Sequence, residues 1–160
     1  MTSATTIIKH YKNGGTIEIC ADFAYKSADY YRVYACCKHF AKQGKRTIIL
    51  PRINHKNPLY KILYKDLIGT KYEHRCPDFC VDGVFYEHEG FRSQNSKRAF
   101  NNMCNRGFNQ SENIILDDCN LKDSYMIRSL KSQIKSSISI HEVWILRNGK
   151  LRLLFKAERR

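Results

Sequence analysis

Residues 76–91 read CPDFCVDGVFYEHEGF, and the reading of the whole chain turns on how this stretch pairs. Asp82-Gly83 between two apolar runs is a two-residue hairpin signal, because a type I′ turn needs positive φ at both central positions. With the turn there, Val81 faces Val84, Cys80 faces Phe85, Phe79 faces Tyr86 and Asp78 faces Glu87. Opposed residues share a sheet face, and faces alternate along each strand. Asp78, Glu87 and Glu89 then point to one side, and Phe79, Val81, Val84, Tyr86 and His88 to the other. Opposed carboxylates lie about 5 Å apart at Cβ and repel when both are ionised. A proton, a bridging cation or a splayed edge relieves that repulsion. Charged residues on an edge hairpin also guard against aggregation, and nearby Lys or Arg neutralise them, which is the structural alternative.

Five of the chain's fifteen carboxylates fall between positions 73 and 89, while the 160-residue chain as a whole carries a formal charge of +13 from 28 Lys and Arg. The charge favours a polyanionic partner, nucleic acid foremost. No basic amphipathic helix stands out, and no apolar run approaches the roughly 18 residues that span a bilayer, so no membrane partner is expected. The N-terminal residues lack a signal-peptide pattern, and a cytoplasmic protein, or one delivered into a target-cell cytoplasm, is expected. A hydrophobic content of 42% and 12% aromatics argue for a folded globule. The length predicts one domain over 1–160, with 1–14 and 156–160 flexible. The seven cysteines make no CxxC pair, and they read as buried thiols rather than zinc ligands.

Outward from the hairpin, Thr16–Cys20 alternates as a strand, and Ala28–Gln43 repeats apolar residues at helical spacing, closed by Gly44. Thr47–Leu50 is a β-branched strand, which completes a β-α-β unit with parallel strands. Asn57-Pro58 opens a helix over Leu59–Leu67, stopped by Gly69. Beyond the hairpin, Asn95 or Ser96 caps a helix to Phe108 or Asn109, with Ala99-Phe100, Met103-Cys104 and Gly107-Phe108 as its apolar stripe. Asn113–Leu116 is a buried strand. Asp123 or Ser124 begins a helix over Tyr125–Lys135 with Met126-Ile127, Leu130 and Ile134 inward. Val143–Leu146 and Leu151–Phe155 flank a second hairpin at Asn148-Gly149. The pattern predicts an α/β fold with a mixed central β-sheet flanked by about four helices.

For chemistry, hard carboxylate oxygens at Asp78 and Glu87 suit Mg²⁺ or Mn²⁺. Such a metal lowers the pKa of an attacking water. Lys97, Arg98 and Arg106 on the third helix are candidate phosphate contacts. His74 and His88 flank the acids, and either could act as acid or base in a metal-independent ribonuclease. His88 falls on the face opposite Glu87 and reads as a packed histidine. No nucleophile elbow and no phosphate-binding glycine loop is present.

The series CPDFCVDGVFYEHEGF, SKRAFNNMCNRGFNQ, SENIILDD and HEVWILRNGKLRLLF resembles the C-terminal tRNA-nuclease toxin domains of contact-dependent inhibition proteins, over about Arg75 to Phe155. It also resembles the PD-(D/E)xK nuclease core or the barnase-like toxin nucleases, which share a small sheet backed by helices. The resemblance implies a restriction-endonuclease-like core and a metal-dependent phosphodiesterase acting on RNA, tRNA before DNA, with an acidic immunity protein as partner. Asp78 matches the first acid and Glu87 the acid of E-x-K. Glu89 stands where the pattern has lysine, as an auxiliary ligand or base. That departure keeps open a second reading, a non-catalytic nucleic-acid-binding accessory protein of a mobile element on a nuclease-derived scaffold.

Overall fold

The computed structural model describes residues 5–20, 30–91, 95–134 and 139–158. The chain divides into two compact units, residues 1–85 and 86–160. In the first unit β1 (Thr5–His10) pairs antiparallel with β2 (Thr16–Cys20), which runs parallel to β3 (Arg46–Ile49), itself antiparallel to β4 (Phe79–Val81). The parallel β2–β3 pair is the one the β-α-β pattern predicts. Residues Thr5–His10, within the stretch 1–14, form strand β1: Thr5-Thr6-Ile7-Ile8 has β-branched propensity but no apolar alternation, and Ile7 is exposed.

Helix α1 (Tyr30–Ala41) joins β2 to β3; its predicted start at Ala28 lies outside the described residues. Gly44, at φ 89°, ends it, and the Gly44 amide donates to the carbonyl of Ala41. Helix α2 (Pro58–Leu63) begins where Asn57 Oδ1 accepts from the Leu59 amide, and a 3₁₀ turn, Lys65–Leu67, follows. This unit's core includes Tyr60, Tyr64, Leu67 and Tyr72, with the Tyr64 hydroxyl donating to the carbonyl of Pro51 at 2.8 Å.

The Asp82-Gly83 turn has φ of 46° and 85°, the signs a type I′ turn requires. Asp82 also accepts from the Arg46 amide through Oδ1 at 2.9 Å, so the turn is anchored to β3. Strand β5 (Val84–Glu89) begins at the turn's far side.

In the second unit β5, β6 (Asn113–Asp117) and β7 (Glu142–Arg147) run parallel, and β8 (Lys150–Lys156) returns antiparallel through Asn148-Gly149. Strand β8 ends at Lys156, and the Ala157 amide donates to the carbonyl of His141. Helices α3 (Ser96–Phe108) and α4 (Asp123–Ile134) supply Phe100, Met103, Cys104, Met126 and Leu130 to a core with Ile114, Leu116, Val143 and Ile145. Every residue of the predicted α3 stripe is buried. Lys135, the predicted end of α4, lies outside the described residues. The architecture is α/β with mixed strand pairing and four α-helices among the described residues.

Candidate active site

Strand β5 is the second unit's anomaly. Tyr86, Glu87, His88 and Glu89 are all buried, so both faces of the strand are covered although three of the four residues are polar or charged. Strand β6 runs parallel beside it in the register Glu87↔Ile114, His88↔Ile115 and Glu89↔Leu116. Buried charges are costly unless hydrogen-bonded and paired, and the partners come from neighbouring elements.

On the face toward the helices, Glu89 Oε2 accepts from Arg106 Nε at 2.9 Å, while Arg106 Nη2 donates to the Gly90 carbonyl at 2.9 Å. Arg106 reaches the strand because α3 lies close to it at Gly107. A Cβ there would sit 3.0 Å from Ile114 Cγ2 and 3.4 Å from Glu89 Cγ. On the other face, His88 Nε2 lies 2.8 Å from Asp117 Oδ1, and Asp117 Oδ2 accepts from the Phe91 amide at 3.3 Å. Further along that face the Tyr86 hydroxyl donates to Glu142 Oε2 at 2.7 Å, and His141 Nδ1 is 3.3 Å from Asn113 Oδ1. Glu89 on one face and the His88–Asp117 pair on the other therefore both lie at the carboxyl ends of parallel strands, the end at which open α/β sheets bind ligands.

The predicted residues fall into three groups. Glu87 and Glu89 share one face of β5, as alternation requires, and both are buried. Asp78 belongs to the first unit, half-buried just before β4, with its carbonyl accepting from the Leu50 amide. Lys97 and Arg98 are exposed in the first turn of α3, with Lys97 Nζ 5.1 Å from the centre of the Tyr125 ring. Arg106, read as an exposed phosphate contact, is half-buried and engaged with Glu89. His88 is packed, with a side chain 2% exposed. His74 stays exposed, stacked on His55 with ring centres 3.9 Å apart.

Sequence reasoning missed Asp117, Glu142 and Glu18. Asp117 and Glu142 each sit at the end of an apolar strand, where an acid reads as a strand terminator. Glu18 alternates with Ile17 and Ile19 in β2. It is buried, accepting from Arg46 Nε at 2.7 Å and Nη2 at 3.0 Å and from the hydroxyls of Thr5 at 2.6 Å and Thr16 at 3.1 Å. The Arg46 hydrogen bonds hold its carboxyl below the usual range, against the upward pull of burial. All seven cysteines are free thiols. Burial raises the Cys37 thiol, and pushes Cys104 to about 12 and Cys80 and Cys119 to about 11.

Among the described residues no three His, Cys, Asp or Glu side chains converge as a metal site needs, and no helix is long and apolar enough to cross a membrane. No protein-family model and no curated protein matches the chain. Its fold is similar to that of a chain in a CdiA-CT/CdiI toxin and immunity complex from Burkholderia pseudomallei, with a TM-score of 0.51 and 13% identity over 86% of this chain and 91% of that one.

Proposed function

We propose that the chain is a toxin-type phosphodiesterase that cleaves RNA, tRNA before DNA, in the cytoplasm of a target cell. The observation that carries this reading is the Glu89–Arg106 pair, a carboxylate and a guanidinium 2.9 Å apart at the carboxyl end of a parallel strand, in a chain of charge +13. The fold likeness to a chain of a toxin and immunity complex supports it. An arriving phosphodiester competes for the guanidinium, whose planar fork matches phosphate oxygens. Glu89 then accepts the proton of the ribose 2′-hydroxyl as its oxygen bonds to phosphorus, the P–O5′ bond breaks with the departing 5′-oxygen taking a proton from water, and Arg106 stabilises the charge that builds on the phosphate. Lys97 and Arg98 hold flanking phosphates.

The restriction-endonuclease-like core belongs to this proposal, supported by two acids two residues apart on a strand that follows a Pro-Asp step. Glu87 has the hard oxygens that Mg²⁺ or Mn²⁺ takes, and Asp78 is its sequence-predicted partner. Glu89, however, is already neutralised by Arg106. Among the described residues no three-ligand set forms. An acidic immunity protein is the expected protein partner, supported by the same fold likeness.

The test is cleavage of a tRNA pool with EDTA, Mg²⁺ or Mn²⁺ by the wild type, Glu89→Gln and Glu87→Ala. Loss of cleavage in Glu89→Gln with retained folding supports the assignment; equal cleavage by all three, or none by the wild type under any condition, rejects it. The engaged state of Glu89 favours the second reading, a nucleic-acid-binding protein without turnover. It predicts salt-sensitive binding and no products.

A further inference from the structure

Helix α1 carries a surface that the proposed chemistry does not use. Tyr31 is 79% exposed, more than any other large hydrophobic side chain among the described residues. Its ring is held edge-on by Tyr30, with centres 5.6 Å apart at 74°, and Tyr30 is tilted against Tyr34 at 6.1 Å. An aromatic ladder of this kind fixes the ring's orientation before any ligand arrives, which lowers the ordering cost of binding.

Within α1 the charged side chains are all basic. Sequence YYRVYACCKHFA has no acid, and Arg32 and Lys38 are exposed. Positions 31, 35, 38 and 42 repeat at the spacing that puts residues on one helix face. That stripe is Tyr31, Ala35, Lys38 and Lys42, with both lysines exposed. The Lys42 amide donates to the Lys38 carbonyl, so the helical spacing continues to it. Tyr31 and Lys38 are about 10 Å apart along the axis, and Lys38 and Lys42 about 6 Å.

We propose that this stripe binds single-stranded nucleic acid, with an unpaired base stacked on Tyr31 and the following phosphates led along Lys38 and Lys42. Stacking on an aromatic face beside a cationic track is how single strands are held without sequence preference. A protein partner is the poorer fit. Lysine is depleted from protein–protein interfaces, whose centres need clustered apolar anchors, and the stripe offers one aromatic ring followed by two exposed lysines. The inference deepens the RNA reading by naming which part of the substrate is held, but it does not depend on cleavage.

Binding is therefore measured with a labelled 2′-O-methyl single strand, which offers no 2′-hydroxyl, and with a duplex of the same length, by fluorescence anisotropy with EDTA at low salt. Tyr31→Ala weakens single-strand binding by roughly tenfold, as loss of one stacked base predicts, and leaves duplex binding unchanged. Tyr31→Phe keeps wild-type affinity. Lys38→Ala/Lys42→Ala lowers the slope of log K against log salt by about 1.4. The proposal is overturned if Tyr31→Ala binds the single strand like wild type, loses strand and duplex equally, or if wild type binds neither. A wild type that binds the strand through Tyr31 yet never cleaves tRNA rejects the catalytic reading alone.

Discussion

Each unit holds an arginine tied to a buried glutamate, and the two pairs are built differently. In the first, Arg46 gives both Nε and Nη2 to Glu18, and two threonine hydroxyls add to them. In the second, Arg106 gives Nε to Glu89 and turns Nη2 to the backbone at Gly90. A bidentate fork with added hydroxyls is a clamp, strong and specific in geometry. A guanidinium divided between a side chain and a carbonyl has weaker hold on the carboxylate and more to gain from a new anion. The formal charge is similar in the two units, so what separates the two pairs is how the guanidinium is shared.

The comparison is broken most sharply at Glu89. Glu89→Gln is expected to lower RNA cleavage by roughly 10²- to 10⁴-fold, the usual worth of a positioned general base, with a melting temperature close to wild type. A large loss of stability with little loss of rate would make Glu89 a second clamp. Gly107→Val comes next. The added side chain meets Ile114 and Glu89, and overpacking of this kind costs about 1–3 kcal/mol. Urea denaturation reads that cost, and cleavage should fall with it as α3 is pushed from β5.

Glu18→Gln carries the opposite signature. It should cost about 2 kcal/mol in urea denaturation while leaving cleavage per folded molecule unchanged. The figure is below that for a fully buried pair because the Arg46 side chain is 61% exposed and water takes up its charge. The clamp also sets a pH dependence. Arg46 holds the folded-state carboxyl of Glu18 below its ordinary value of 4.5. Its contribution is thus complete above pH 4.5 and is lost as the pH falls through the lowered value. The stability gap between wild type and Glu18→Gln should narrow below pH 4.5 and stay constant from pH 5 to 8.

The smallest effect concerns the thiols, where the units agree. Raised thiol pKa values at Cys37 and Cys80 in the first unit and at Cys104 and Cys119 in the second keep these side chains protonated at pH 8. A chromogenic disulfide reagent should label fewer than seven thiols in the native protein and all seven in denaturant.

The order of elements was legible in the sequence because it rests on local chemistry. Asn57 and Asn95 cap their helices, Asp82-Gly83 and Asn148-Gly149 turn their strands, and the apolar stripe of α3 is buried residue for residue. Strand β1 escaped, since an edge strand needs no apolar alternation and its hydrogen bonds are made to a neighbour found only in space. At the candidate site, alternation put Glu87 and Glu89 on one face and His88 on the other. Alternation is silent on which strand lies alongside. The sequence by itself determined helix caps, turns and faces, each set by residues a few positions apart. Tertiary structure alone decided that β5 pairs with β6 in parallel, that Gly107 lets α3 bring Arg106 onto Glu89, and that Thr5 and Arg46 close around Glu18. A buried charge is stabilised by partners 13 to 28 residues away, and only folding brings them within hydrogen-bonding distance.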